Sequence, residues 1–177
     1  MASQRANQPS WILDTKLFPH EIFTSHERRP DEVIMVDVGG GAGHQCIALR
    51  QAHPDLHGRV ILQDLPDTIA MTDRATLQNS GTEALAHDFM TPQPIKGARV
   101  YYMRNVLHDW PDNACLTILK HLRNAMSAES VLVVDEIVVS DSGSGLRQIN
   151  FDLVMTSVFG AMERTEDQWK ALLSSAN

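Results

Sequence analysis

The chain has 177 residues and a mass of 19.7 kDa, enough for one domain with a sizeable core and too little for two comfortable ones. A hydrophobic fraction of 43% against 21% charged residues is ordinary globular composition and excludes an intrinsically disordered chain. A formal net charge of −7 argues against a surface built to neutralise phosphate backbones, and no apolar run approaches the roughly 18 residues that a membrane span needs. The N-terminal MASQRANQPSW lacks the apolar core of a signal peptide. Cys46 and Cys115 stand far apart with no C-x-x-C partner, so neither a disulfide framework nor a cysteine-rich metal site is indicated. These features predict a soluble, cytoplasmic, acidic domain with no nucleic-acid or membrane partner.

Residues 1–30 are mixed and polar, broken by Pro9, Pro19 and Pro30, and read as a connecting segment with a short helix around Trp11–Phe18. Regular patterning begins after them. Val33–Val38 is a β-branched run ending in glycines, and helix formers follow over Ala42–Ala52. Val60–Gln63 is a second strand, and Pro66 opens a predicted helix that runs through Leu77. A third short strand is expected near Ala84–His87 and a fourth over Val100–Met103. Pro111 marks the start of a helix with Leu116, Leu119 and Leu122 at helical spacing. Val131–Val139 is the most apolar strand, followed by the flexible Ser140–Gly145 stretch and predicted helices over Ile149–Phe159 and Glu166–Leu173. Strands alternating with helices at short intervals predict an α/β fold with a mostly parallel sheet.

The glycine-rich turn Gly39-Gly40-Gly41-Ala42-Gly43 follows a strand and opens a helix, the edge at which open α/β sheets bind ligands. The dinucleotide pattern G-x-G-x-x-G would begin at Gly39 and Gly41, but its third glycine is replaced by His44, which weakens a nicotinamide or flavin reading. Asp37 sets a negative charge at the strand end, which suits a ligand carrying an ammonium or sulfonium group better than a pyrophosphate. Asp64, at the end of the second strand, is placed to accept hydrogen bonds from a ribose diol. The bland alternative is that Asp37 and Asp64 only cap turns.

The segments VDVGGGAGH, GRVILQDLP, HDFM, YYMRNVLHDWPDNACLTIL, VLVVDEIV and GAMERTEDQW, in that order from about Val33 to Leu173, resemble the motifs of S-adenosylmethionine-dependent O-methyltransferases of the plant caffeate-type and fungal secondary-metabolite branch. The resemblance implies a Rossmann-like methyltransferase sandwich with strand order 3-2-1-4-5 and S-adenosyl-L-methionine as cofactor. It places Gly39 and Gly41 beside that cofactor, Asp64 on its ribose, and Asp88 and Phe89 around its adenine. Arg104 stands where the family usually has a lysine that contacts the nucleoside.

The same likeness makes His108, just past the fourth strand, the base that deprotonates an acceptor hydroxyl. It makes Glu136 and Glu163 the carboxylates that support it. Read without the family, Glu136 and Glu163 are surface carboxylates, with Glu163 free to pair with Arg164. His20, His26, His53 and His57 read as solvated, and His121 as structural. Asp109 is nearer to His108 in sequence, yet a helix-capping role ahead of Pro111 is the expectation for it. No His/Asp/Glu cluster has metal-ligand spacing, which disfavours a metal-dependent catechol-type enzyme. Met155, Phe159 and Met162 recur at helical spacing, either as core or as a sandwich for a flat aromatic acceptor.

Residues 31–177 are thus expected to be a methyltransferase catalytic domain, shorter at both ends than the family pattern, with residues 1–30 a linker or remnant. A sheet of five strands would leave Val131–Val139 as an apolar edge open to self-association or homodimerisation. Three readings follow: an O-methyltransferase for a small phenolic or polyketide-like molecule, a catalytically silent remnant, and a different, NAD-using Rossmann-like enzyme.

Overall fold

A computed structural model describes residues 30–139 and 164–176. The expected helices at Trp11–Phe18 and Ile149–Phe159 lie outside these residues, as do His20 and His26. The chain divides into two compact units, the first ending at Ala86 and the second beginning at His87.

In the first unit the strands β1 (Val33–Val38), β2 (Arg59–Asp64) and β3 (Thr82–Ala86) run parallel, β2 pairing with both others. Ile34, Met35, Val36, Val60, Ile61 and Leu62 are fully buried, as near-continuous apolar strands must be when both faces of a sheet are covered. Helix α1 (His44–Ala52) buries Cys46 and Leu49. The helix expected from Pro66 to Leu77 is instead two short ones, α2 (Pro66–Met71) and α3 (Arg74–Asn79). The cause is Asp73. Its Oδ1 accepts hydrogen bonds from Ala75 N and Thr76 N at 3.1 and 3.2 Å, so it caps a new helix where propensity alone would have continued the old one. The third strand begins two residues before its expected start, with buried Thr82 opposite Val60 and Glu83 paired with Arg59 at 2.6 Å.

In the second unit β4 (Val100–Arg104) and β5 (Val131–Asp135) are parallel, and α4 (Asp112–Arg123) connects them after Pro111. The buried stripe of α4 is Cys115, Ile118, Leu119 and Leu122; Leu116, expected on that stripe, is only half-buried. The long apolar run expected as one strand is interrupted at Glu136 and Ile137. Its end forms β6 (Val138–Val139), which pairs in a separate two-stranded sheet with β7 (Arg164–Thr165). Helix α5 (Glu166–Ser175) follows, started by a capping box in which Thr165 and Gln168 satisfy each other's backbone N–H groups. The five long strands form one sheet in the order β3-β2-β1-β4-β5, the mostly parallel, Rossmann-like arrangement expected. No helix among the described residues is long and apolar enough to cross a membrane.

Tyr101 ties the second unit together at its base. Its hydroxyl donates to Ile95 O at 2.8 Å, with Ala125 O a second acceptor at 3.1 Å, and accepts from Ala98 N at 3.3 Å. Burial pushes its phenol pKa upward. Tyr101→Phe leaves these backbone groups short of a partner and is expected to lower stability by about 1–2 kcal/mol, read as a reduced urea midpoint at unchanged m-value.

Candidate functional site

The turn between β1 and α1 is shaped by glycines at positive φ: Gly39 at 72°, Gly41 at 59° and Gly43 at 79°. Side chains rarely adopt this left-handed conformation, so the chain can reverse here only because Cβ is missing. Gly39 N and Gly40 N both donate to Gln63 O, at 2.8 and 3.1 Å, and stitch the turn to β2. Asp64 completes the fastening: Gly41 N donates to its Oδ2 and Leu65 N to its Oδ1, each at 2.8 Å. Each carboxylate oxygen keeps acceptor capacity after taking one amide, so Asp64 can shape the turn and still receive hydroxyl donors.

Asp37 lies under this turn rather than on its face. It is 1% exposed, and a Cβ on Gly40 would fall 2.5 Å from its Cγ and Oδ2. Cys46 Sγ donates to Asp37 Oδ2 at 3.6 Å, and burial, then the Asp37 charge, pushes that thiol well above its usual pKa. The position of the missing third glycine is covered by Gly43, where a Cβ would meet Leu77 Cδ2 at 2.7 Å. A Cβ on Gly41, by contrast, would meet nothing within 4 Å. Open space beside an unobstructed backbone, with a carboxylate next to it, fits the ribose end of a nucleoside.

The other expected nucleoside residues lie in the second unit. Asp88 Oδ1 accepts from Met90 N at 2.9 Å and shapes the loop that carries Phe89. The Phe89 ring meets Trp110 edge-on, with centroids 5.8 Å apart and planes at 87°. His121 Nε2 lies 3.1 Å from Met90 O and braces the same loop, the structural part expected of it. Arg104 is held through its side chain: Nε lies 3.3 Å from Asp135 Oδ2, which also accepts from the buried Tyr102 hydroxyl at 2.8 Å.

His108 sits in a 3-10 turn, Leu107–Asp109, between β4 and α4. The chain enters it through Asn105, the one non-glycine residue of the described chain with positive φ, at 51°. Glu136 organises this turn from the end of β5. Its Oε1 accepts from Val106 N and Leu107 N, each at 2.8 Å, and its Oε2 lies 2.8 Å from His108 Nδ1. The Glu136 side chain is 2% exposed and that of His108 is 19% exposed. A carboxylate that accepts at Nδ1 selects the tautomer with the proton on Nδ1 and leaves Nε2 as the basic nitrogen. Asp109, expected to cap the helix, does something else. Pro111 is the N-cap, and the tight turn swings Asp109 Oδ1 to 3.3 Å from His108 Nε2. Both ring nitrogens therefore face a carboxylate.

Glu163, Met155, Phe159 and Met162 lie outside the described residues. Among the described residues, no group of three or more His, Cys, Asp or Glu side chains is arranged to hold a metal ion. Sequence reasoning missed Asp109, Trp110, Asp135 and Arg164 as site residues. Asp109 and Trp110 carried a usable signal, as an acid and an aromatic close to the chosen histidine.

A parallel sheet with a glycine turn after β1 and an acid after β2 defines the class of Rossmann-like, nucleoside-binding proteins. The chain belongs to the O-methyltransferase domain family, whose sequence model matches residues 17–177. It is 44% identical over 177 residues to methyltransferase cfoC of Aspergillus candidus, covering 99% of this chain and 43% of that protein. It is 44% identical over 147 residues to demethylsterigmatocystin 6-O-methyltransferase stcP of Emericella nidulans, covering 83% of this chain and 70% of that protein. The structure of LepI in complex with SAH and a substrate analogue matches with a TM-score of 0.83 at 39% identity, over 97% of this chain and 47% of that one. A second solved structure, described as a pericyclic reaction enzyme, matches with a TM-score of 0.83 at 39% identity, over 97% of this chain and 47% of that one. The chain thus spans less than half the length of cfoC and LepI.

The turn geometry gives a paired test. Gly40→Ala drives a methyl group into Asp37 and Leu62, and about 1–3 kcal/mol of stability should be lost. Gly41→Ala meets no atom and should lose only the roughly 1–2 kcal/mol of left-handed strain. Denaturant unfolding of the two variants should rank Gly40→Ala as the less stable.

Proposed function

We propose that residues 31–177 are the catalytic part of an S-adenosylmethionine-dependent O-methyltransferase that acts in the cytoplasm on a hydroxyl of a small phenolic or polyketide-like molecule, with His108 as general base. The observation that carries this reading is the Glu136 carboxylate, which grips two backbone amides and the His108 ring at 2.8 Å each. When bound, the cofactor supplies a methyl group made electrophilic by its sulfonium. Gly39, Gly41 and Asp64 are the residues suited to hold its ribose side, with Asp88, Phe89 and Arg104 at the nucleoside.

The work left to the protein is mainly proton management. A phenol has a pKa of about 10 and a free imidazole about 6.5, so complete proton transfer is uphill by roughly 5 kcal/mol. Glu136 at Nδ1 and Asp109 near Nε2 narrow that gap by stabilising the imidazolium as it forms. Glu163 is proposed as a further carboxylate at this base, and Met155 and Phe159 as acceptor contacts, on family likeness alone. Homodimerisation through the β5 edge belongs to the same reading, and sedimentation of the purified chain should show concentration-dependent association.

A pericyclic reaction, the chemistry named for one of the similar solved structures, requires no net methyl transfer, so turnover distinguishes the two chemistries. The chain incubated with S-adenosylmethionine and a panel of hydroxylated aromatics should yield methyl ethers and S-adenosylhomocysteine. His108→Ala should reduce the rate by about 10²–10⁴-fold while S-adenosylhomocysteine still binds by calorimetry. Binding without turnover of any acceptor would favour the silent remnant, and binding of NAD instead the third reading.

A further inference from the structure

Arg164 is 1% exposed, among the largest fully buried side chains of the described protein, and the methyl-transfer reading gives it no task. A buried guanidinium is costly to desolvate unless its donors are met, and here they are met in a particular place. Nη1 donates to Leu107 O at 3.1 Å and Nη2 to Trp110 O at 2.9 Å. Nε and Nη2 donate to Asp112 Oδ1 at 3.0 and 2.7 Å, which balances the charge. The face of the group lies over Trp169, 5.0 Å from the ring centroid, and Trp169 Nε1 donates to Ile137 O at 3.3 Å, one residue past Glu136.

The two carbonyls are the residues that bracket His108 and Asp109. Leu107 precedes the histidine; Trp110 follows the aspartate. An arginine serving only to join β7 to α4 could balance its charge on Asp112 and turn its other donors elsewhere. This one spans the 3-10 turn from end to end. Leu107 is held through the peptide groups on both sides of its Cα, its N–H by the Glu136 carboxylate at 2.8 Å and its C=O by the Arg164 guanidinium at 3.1 Å. Cys115 Sγ adds a weaker donor to the same two carbonyls, at 3.3 Å each, but only the planar fork of an arginine reaches both with strong donors and adds charge.

We infer that Arg164 is a positioning residue for His108, fixing the turn at both its carbonyl ends so that the imidazole stays on Glu136. This inference rests on the reading of His108 as the base. It touches none of the reacting atoms and acts through the backbone. Lysine keeps the charge and most of the stem but has a single donor centre, which cannot bridge two carbonyls and the Asp112 carboxylate in one plane.

The test uses the full 177-residue chain with ¹⁵N-labelled histidine, the His108 signals being assigned by their loss in His108→Gln. In the wild type, His108 should show one tautomer with a protected Nδ1–H. Arg164→Met and Arg164→Lys should each lose that protected signal and show mixed tautomers, with far-ultraviolet circular dichroism unchanged. Wild-type-like His108 signals in either folded variant overturn the inference, and Arg164→Lys decides it alone if Arg164→Met does not fold. In turnover, kcat should fall about 100-fold with KM for the acceptor within threefold. Millimolar guanidinium should restore part of the rate to Arg164→Ala, where equal ammonium does not. Loss of turnover that guanidinium leaves untouched also counts against it. A wild-type chain that methylates nothing counts against the proposed function and leaves the NMR comparison standing.

Discussion

The carboxylate of Glu136 is the constraint on which the geometry of the His108 turn depends. It leaves the β5 direction, buries itself, and takes three donors from a turn some 30 residues earlier in the chain. Two of those donors are backbone amides of a turn too short to satisfy them internally. The third is the imidazole. One side chain therefore sets both where the turn lies and which ring nitrogen carries the proton, and the strand must end for it to do so. The break in the long apolar run is the structural counterpart of the His108 turn.

The glycine turn of the first unit follows the same economy. Gln63 O receives two of its amides, Asp64 receives a third, and Asp37 fills the space beneath Gly40. Asp64 is at once a turn-capping residue, as the bland reading held, and a carboxylate with acceptor capacity to spare. The two descriptions do not compete. A group that must meet a ligand at fixed geometry is better placed when its own orientation is already determined by the backbone it holds.

Much of this was legible because the signals are local. An unbroken β-branched run, a cluster of glycines and a proline at a helix start each fix a few residues, and β1, β2, the turn and α4 follow from them. What could not be read depends on partners distant in sequence. Nothing within Val131–Val139 announces that Glu136 will be drawn away by amides at Val106 and Leu107. Asp109 was assigned to a cap because neighbouring side chains usually diverge, and only the 3-10 turn brings its carboxylate back toward the imidazole. Arg164 was invisible for a different reason. Two of its acceptors are carbonyl oxygens, and a carbonyl looks alike whatever residue bears it. An ion pair with its motif neighbour Glu163, which lies outside the described residues, gives no hint of the described guanidinium contacts to Leu107, Trp110, Asp112 and Cys115.

Trp110 has a double attachment. Its ring abuts Phe89 while its carbonyl belongs to the Arg164 fork, and it is only half-buried. Trp169, by contrast, is buried beneath a cation. The two indoles thus occupy unlike dielectric surroundings, and the protein carries a built-in optical reporter. Emission from the wetter of the pair reports on the edge contact between Phe89 and Trp110, with no dye attached.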